Sequence, residues 1–344
     1  MEGKRGSLAI MACKSGLPFA KKILEKLNEY LASEGKIPAE LIPSREISFA
    51  NSEIKTILDK SIRGSDLYII QDVENSTNGL SVDENLRALK TAIDVARRSD
   101  AHYITAIIPV FPYSRQDKQA GRECITAAQI AEEIENAGAR RIITLDIHNS
   151  AIAGYFRKAK FENLHASGNI IDFVKENIPQ ENLVVVAPDA GGAKRATHYA
   201  QKLGVPLALV HKERDYSKLS QIENITLLGD VSGKDVFIID DMISTAGTLH
   251  SISHMLKNKF NAKTITLACS LPLFNPPALE RLKELYENKI IMGVIGTDAV
   301  YHGEDFGQKN PWFNEVSVAR YFAKVIYNIN NCLSLSDILD KSVK

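Results

Sequence analysis

The sequence has no surplus of charge. Across 344 residues, 42 lysines and arginines face 42 aspartates and glutamates, so the formal net charge is zero. Broad grip on a nucleic-acid backbone needs a basic excess to neutralise phosphates, and that class of function is excluded. There is no run of about 18 consecutive apolar residues, so no membrane-crossing helix is expected. Lys4-Arg5 ahead of Leu8-Ala9-Ile10-Met11-Ala12 has the order of a signal peptide, but the apolar stretch is short and reads as a first buried strand. The chain is therefore expected to stay in the cytoplasm. Cysteine is sparse: Cys13, Cys124, Cys269 and Cys332 lie far apart, with no C-x-x-C and no zinc-like spacing. Cys13 and Cys269 end apolar runs, where a free thiol acts as a small hydrophobe. No G-x-G-x-x-G is present, so a nicotinamide enzyme has no support. Gly229 to Gly233 and Lys234 imitate a phosphate-binding P-loop. That segment has three residues between its glycines instead of four, lacks Ser or Thr after Lys234, and precedes a strand rather than following one.

What is present is ordinary globular composition, 44% hydrophobic and 24% charged. The length suits two domains of about 150–170 residues, each able to bury a core. Strand-type runs occur at 66–71, 103–109, 141–148, 183–189, 206–212, 235–241, 263–270 and 290–297. Several are apolar on both faces, as in Val184-Val185-Val186 and Val236-Phe237-Ile238-Ile239, which suits parallel strands covered by helices. Amphipathic helices lie between them. Leu86, Leu89, Ile93 and Ala96 share one helical face, and 278–288 repeats the theme. Thr126 with Gln129 reads as a capping box, and Gly138 as a stop. Strand alternating with helix predicts an α/β fold with two mainly parallel sheets flanked by helices. Residues 75–79 are expected to form an exposed loop. Residues 154–168 are expected to connect an N-terminal domain, 1–160, to a C-terminal domain, 161–316. A final helix within 317–344 is expected to return to the first domain.

In such folds ligands sit beyond the carboxyl ends of the strands. The sharpest signal is Val236-Phe237-Ile238-Ile239-Asp240-Asp241-Met242-Ile243-Ser244-Thr245-Ala246-Gly247-Thr248. A buried strand ends in two carboxylates, and a small, hydroxyl-rich turn then opens a helix. Backbone N–H groups at a helix start carry the positive end of the dipole and hold phosphate. Thr245 and Thr248 add hydroxyls, Ala246-Gly247 permit close approach, and Asp240 and Asp241 can accept hydrogen bonds from sugar hydroxyls.

This segment resembles the phosphoribosyl-diphosphate motif of type I phosphoribosyltransferases and ribose-phosphate diphosphokinases. Phe49-Ala50-Asn51-Ser52-Glu53, Ser61-Ile62-Arg63-Gly64, Pro112 to Lys118, Leu145-Asp146-Ile147-His148, Pro188 to Ala196 and His211-Lys212-Glu213-Arg214 resemble successive diphosphokinase signatures, in the family's order and over nearly the whole chain. The resemblance implies two phosphoribosyltransferase-type domains that transfer the diphosphoryl group of ATP to O1 of ribose 5-phosphate. It implies that Arg115 and Gln116 bind ATP, joined by Phe49, Asn51, Ser52 and Glu53 from a neighbouring subunit. It assigns His148 and Asp189 to Mg2+, Lys212 and Arg214 to catalysis, and Arg214, Asp240, Asp241, Ser244, Thr245, Ala246, Gly247 and Thr248 to ribose 5-phosphate. His148 is read as ending a strand, with Asp146 pointing the same way one alternation earlier. A homo-oligomer, a hexamer built from dimers, is implied too. The chain departs from the family pattern at Asn51, Ser52 and Ser244, and at Ala151 and Ala153 where glutamines are usual. Two rivals remain: a regulatory subunit of the same fold, and a phosphoribosyltransferase that consumes the diphosphate product.

Overall fold

The computed structural model describes residues 5–214, 222–336, 338 and 339, with the backbone alone at 212–214 and 222–225. The chain begins β1 (Leu8–Ala12), α1 (Leu17–Ser33), β2 (Ser44–Ser48), β3 (Ile54–Leu58), β4 (Asp66–Ile70), α2 (Val82–Arg98), β5 (Tyr103–Ile107), α3 (Thr126–Ala137), β6 (Arg141–Leu145) and β7 (Lys160–Leu164). It continues α4 (Ser167–Asn177), β8 (Leu183–Ala187), α5 (Ala193–Leu203), β9 (Leu207–Arg214), β10 (Ile222–Leu228), β11 (Asp235–Ile243), α6 (Gly247–Asn258) and β12 (Thr264–Pro272). It ends α7 (Ala278–Glu287), β13 (Gly293–Thr297), α8 (Phe306–Lys309), β14 (Phe313–Val316) and α9 (Ala319–Asn330).

These strands form a five-stranded sheet in the order β1-β4-β5-β6-β7, a seven-stranded sheet in the order β10-β9-β8-β11-β12-β13-β14, and the β2–β3 hairpin. The five-stranded sheet is parallel throughout. The seven-stranded one is parallel except for β10 against β9. The doubly apolar runs have a direct physical meaning here. Along β8, Val185 and Ala187 enter one core while Val184 and Val186 enter another, because successive side chains point to opposite faces. Phe237 and Ile239 of β11 divide from Val236 and Ile238 in the same way. The first of these cores is continuous with that of the five-stranded sheet, and the second lies under α6 and α7.

Several local expectations are corrected. Thr126 lies inside α3 rather than capping it, and gives its hydroxyl to Gln116 Oε1 (2.6 Å), so the Thr126–Gln129 box does not form. A capping box closes α2 instead: Ser81 Oγ accepts from Glu84 N and Glu84 Oε2 accepts from Ser81 N. Gly138 does stop α3, at φ 128°, where a Cβ would come within 2.7 Å of the Arg97 side chain. The 75–79 loop is only partly exposed. Asn75 is buried, donates from Nδ2 to Ser15 O (2.8 Å), and caps a short 3-10 turn at Ser76–Asn78. Residues 154–168, read as a connection of weak periodicity, contain β7, the outer strand of the first sheet, which straddles the expected boundary at 160. The hairpin, β7, β10 and β14 carry no run singled out from the sequence.

After β13, Asp298 accepts from Ser317 Oγ (2.7 Å), Val318 N (2.8 Å) and Lys22 Nζ (3.1 Å). That network sets the direction of α9, which packs on α1 with Phe322 edge-on to Phe19 at 5.2 Å. Tyr301 N also donates to the buried Asp72, just beyond β4 (2.9 Å). Loops of the second sheet are thus anchored to the first, and the carboxyl ends of both sheets contribute to one cleft.

Candidate active site

From β8 the chain of the second sheet moves outward through β9 and β10, then returns to lay β11 against the other side of β8. The strand order reverses at that point, opening a crevice beyond the strand ends. A cavity of about 480 Å³ lies there. The segment after β8 lines it with Asp189, Gly191 and Gly192, and α5 adds Arg195. The end of β11 and the turn after it supply Asp240, Asp241 and 244–248. From the first sheet come Arg115, after β5, and His148, after β6.

The turn into α6 suits an anion. Ala246 takes the left-handed conformation (φ 58°) as the helix N-cap, and among the described residues no side chain caps the helix start. The first N–H groups of a helix have no intrahelical acceptor, so the first-turn residues Gly247, Thr248 and Leu249 bring such donors to the cavity wall. The turn is braced from outside: Arg281 of α7 donates to Thr245 O (2.8 Å), and Asn275 Nδ2 donates to Ser244 Oγ (3.2 Å). A Cβ at Gly247 would meet Arg281 Nη1 at 3.0 Å, so glycine leaves room for that brace.

The two carboxylates differ in state. Asp240 is half-buried and beside a like charge, and its partial desolvation and that repulsion push its pKa up to about 7. Burial also opposes ionisation of Asp241, but the His148 hydrogen bond and the Arg195 guanidinium hold it well below the usual carboxylate range. Arg195 Nη1 lies 3.3 Å from Asp240 Oδ1, and its Nη2 lies 3.7 Å from Asp241 Oδ2. His148 Nδ1 donates to Asp241 Oδ2 at 2.6 Å, an interaction that raises the imidazole pKa. With Nδ1 so engaged, Nε2 is the nitrogen left for a ligand. Asp189 Oδ1 accepts from Gly192 N (2.9 Å), which fixes its carboxylate at the loop.

Of the residues singled out in the sequence, Arg115, His148, Asp189, Asp240, Asp241, Ser244, Thr245, Ala246, Gly247 and Thr248 meet at this cavity. Gln116 does not line it, being held by Thr126. Phe49, Asn51, Ser52 and Glu53 do not line it either. They form the tip of the β2–β3 hairpin, where Phe49 N donates to Glu53 O (2.8 Å) and the Phe49 side chain is 48% exposed. The side chains of Lys212 and Arg214 lie outside the described residues, as do 215–221 of the polar stretch read as a loop. From Ile222 that stretch is strand β10, not loop. Asp146 and His148 do not point the same way. β6 ends at Leu145, and the left-handed φ of Asp146 (41°) breaks the alternation, so Asp146 pairs with His165 (2.8 Å) instead. Arg195 as the counterion of both carboxylates, and Arg281 as the brace, were not assigned these parts from the sequence. Arg281 has no local signal, since it reaches the turn from a helix packed alongside.

Two parallel-sheet units, with an acidic strand and an anion-binding turn at the reversal point of the second, define an α/β protein of phosphoribosyltransferase type. The comparisons agree on the family. Residues 8–138 match the family model described as the N-terminal domain of ribose phosphate pyrophosphokinase, and residues 161–299 match the phosphoribosyl transferase domain. A ribose-phosphate pyrophosphokinase from Chlorobaculum tepidum is 36% identical over 334 residues, covering 97% of this chain and 95% of that protein. Ribose-phosphate pyrophosphokinase 2 from Enterococcus faecalis is 33% identical, covering 98% and 97%. The crystal structure of phosphoribosylpyrophosphate synthetase from Mycobacterium smegmatis superposes with a TM-score of 0.82 at 30% identity, covering 95% of this chain and 99% of that one. The chain belongs to the ribose-phosphate pyrophosphokinase family and is an enzyme of that class.

Proposed function

We propose that this enzyme transfers the β,γ-diphosphoryl group of ATP to O1 of ribose 5-phosphate, giving 5-phosphoribosyl 1-diphosphate and AMP. The observation that carries the reading is the pairing, in one cavity, of an uncapped helix start with two adjacent carboxylates opposite Arg115 and His148. A sugar phosphate presents the matching groups, an anion at one end and hydroxyls at the other.

In this reading the α6 turn, 244–248, holds the 5-phosphate, while Asp240 and Asp241 accept from the ribose hydroxyls and so orient O1. O1 attacks the β-phosphorus in line, the bond from that phosphorus to the bridging α-phosphate oxygen breaks, AMP departs, and the O1 proton passes to solvent. Such transfers depend on positioning and on neutralising charge rather than on covalent help from the protein. Arg115 forks onto ATP phosphate oxygens or stacks on the adenine. Gln116 turns from Thr126 to join it, and a partner subunit's hairpin tip, Phe49 to Glu53, completes the nucleotide contact. That arrangement requires a homo-oligomer, proposed as a hexamer built from dimers. Lys212 and Arg214 approach along β9 and neutralise the transferring group, with Arg214 also touching the sugar phosphate. The donor set of an imidazole nitrogen, His148 Nε2, and a carboxylate, Asp189, suits a divalent cation, and Mg2+ held there would neutralise phosphate charge. The working division remains 1–160 for the nucleotide side and 161–316 for the sugar side.

The test is Lys212→Ala. Loss of an electrostatic stabiliser of this kind costs roughly 3 kcal/mol or more of barrier, at least about 100-fold in turnover. Unchanged turnover in a folded variant would overturn the assignment.

A further inference from the structure

Away from the cavity, α6 and α7 bring together three side chains that the proposed reaction does not use. His250 and His254 are one helical turn apart, so both imidazoles leave the same face of α6. Glu284 faces them from α7. His250 Nε2 lies 2.6 Å from Glu284 Oε2, His254 Nε2 lies 3.5 Å from Glu284 Oε1, and the imidazole rings are 4.7 Å apart. One ligand atom from each residue falls within 4.8 Å of the others. Asn288 Nδ2 donates to Glu284 Oε1 (2.6 Å), which fixes the carboxylate toward the imidazoles. All three side chains are about one-third exposed.

We infer that this cluster is a transition-metal site, with Zn2+ as its natural class of ion, held by His250, His254 and Glu284 with water completing the coordination. Two imidazole nitrogens and one carboxylate oxygen form an established zinc donor set. At Zn–N and Zn–O bonds of roughly 2.0–2.2 Å, neighbouring tetrahedral ligand atoms sit about 3.3 Å apart. The imidazole-to-carboxylate distances of 2.6 and 3.5 Å, one to each carboxylate oxygen, lie on either side of that value, and the ligand atoms fall within 4.8 Å of one another, so shifts on the order of 1–2 Å bring them onto one ion. Mg2+ is a poor occupant because it prefers oxygen ligands and near-octahedral geometry. The site would tie α6 to α7 directly behind the anion-binding turn. His250 stands two residues beyond Thr248, and Glu284 is three residues beyond Arg281, the brace of that turn.

The experiment titrates the full chain with Co2+ as a spectroscopic probe, in excess Mg2+, following the visible absorption of tetrahedral cobalt and its displacement by Zn2+. The expected result is one tight equivalent per chain, weakened at least about 10-fold by His254→Gln or His250→Gln and retained by His148→Ala. Circular dichroism of the glutamine variants checks that the helices stay folded. Three results overturn the inference: no tight equivalent in the wild type, equal binding by the folded glutamine variants, or loss of binding in His148→Ala alone. The last would place the ion in the cavity.

Discussion

Converting Asp240 to asparagine tests the electrostatics of the sugar site. Burial and the charge of Asp241 raise the Asp240 pKa to about 7, against 3.8 for a free side chain, so its carboxylate takes up a proton well above the usual carboxylate range. Taking the ionised form as the better acceptor for a ribose hydroxyl, the sign follows: activity falls as the pH drops below 7 and levels off above it. A group titrating at about 7 loses most of its ionised form between pH 7 and pH 5, so kcat/KM for ribose 5-phosphate, taken as the ratio of wild type to Asp240→Asn, should fall at least several-fold over that range. The substrate phosphate also titrates, near pH 6, but it does so equally for every variant and cancels in the ratio to wild type. Asp240→Asn should lower the plateau about 10- to 150-fold, the worth of one hydrogen bond to a charged acceptor at roughly 1.5–3 kcal/mol. It should also abolish the limb near 7. The assay is kcat/KM from pH 5 to 9 at saturating ATP for both proteins. An unchanged limb in Asp240→Asn would assign it to another group, His148 being the nearest alternative, and refute the reasoning.

Three further outcomes follow. Arg281→Met removes the brace on Thr245 O and should raise the KM for ribose 5-phosphate about 10-fold with little change in kcat, since one hydrogen bond near 1.4 kcal/mol is lost outside the reacting centre. An unchanged KM would show that the turn holds its shape unaided. Asp298→Ala should destabilise the fold by about 3 kcal/mol in urea denaturation, mostly through Val318 N and the Ser317 hydroxyl, because Lys22 is 42% exposed and its attraction is screened. A loss below about 1 kcal/mol would contradict the anchoring role. Phe322→Ala, at a fully buried position against Phe19, should cost about 3–5 kcal/mol in the same assay, and a much smaller cost would mean α9 is not locked to α1.

The central strands were legible because parallel strands buried on both faces write themselves as unbroken β-branched runs, as β8 and β11 do. β7 and β14 were not, for the opposite reason. Each is an outer strand with partly exposed side chains, so Lys160 to Leu164 reads as polar chain and only its backbone pairing with β6 makes it a strand. The acidic strand end and the turn 244–248 were visible because the chemistry lies in contiguous residues. Arg281 and the Asn75 anchor depend on packing across distant segments, which leaves no local pattern. The direction of Asp146 failed on a single dihedral: one left-handed residue at the strand end turned it to His165 and left His148 free for Asp241.

The most direct test of the central claim is the identity of the nucleotide product. The full chain is incubated with ATP and Mg2+, with and without ribose 5-phosphate, and the nucleotides are separated by anion exchange. The account predicts AMP, formed only when ribose 5-phosphate is present and in equal amount to phosphoribosyl diphosphate. Ribose-dependent ADP in place of AMP would mean transfer of the γ-phosphoryl group alone and would contradict it.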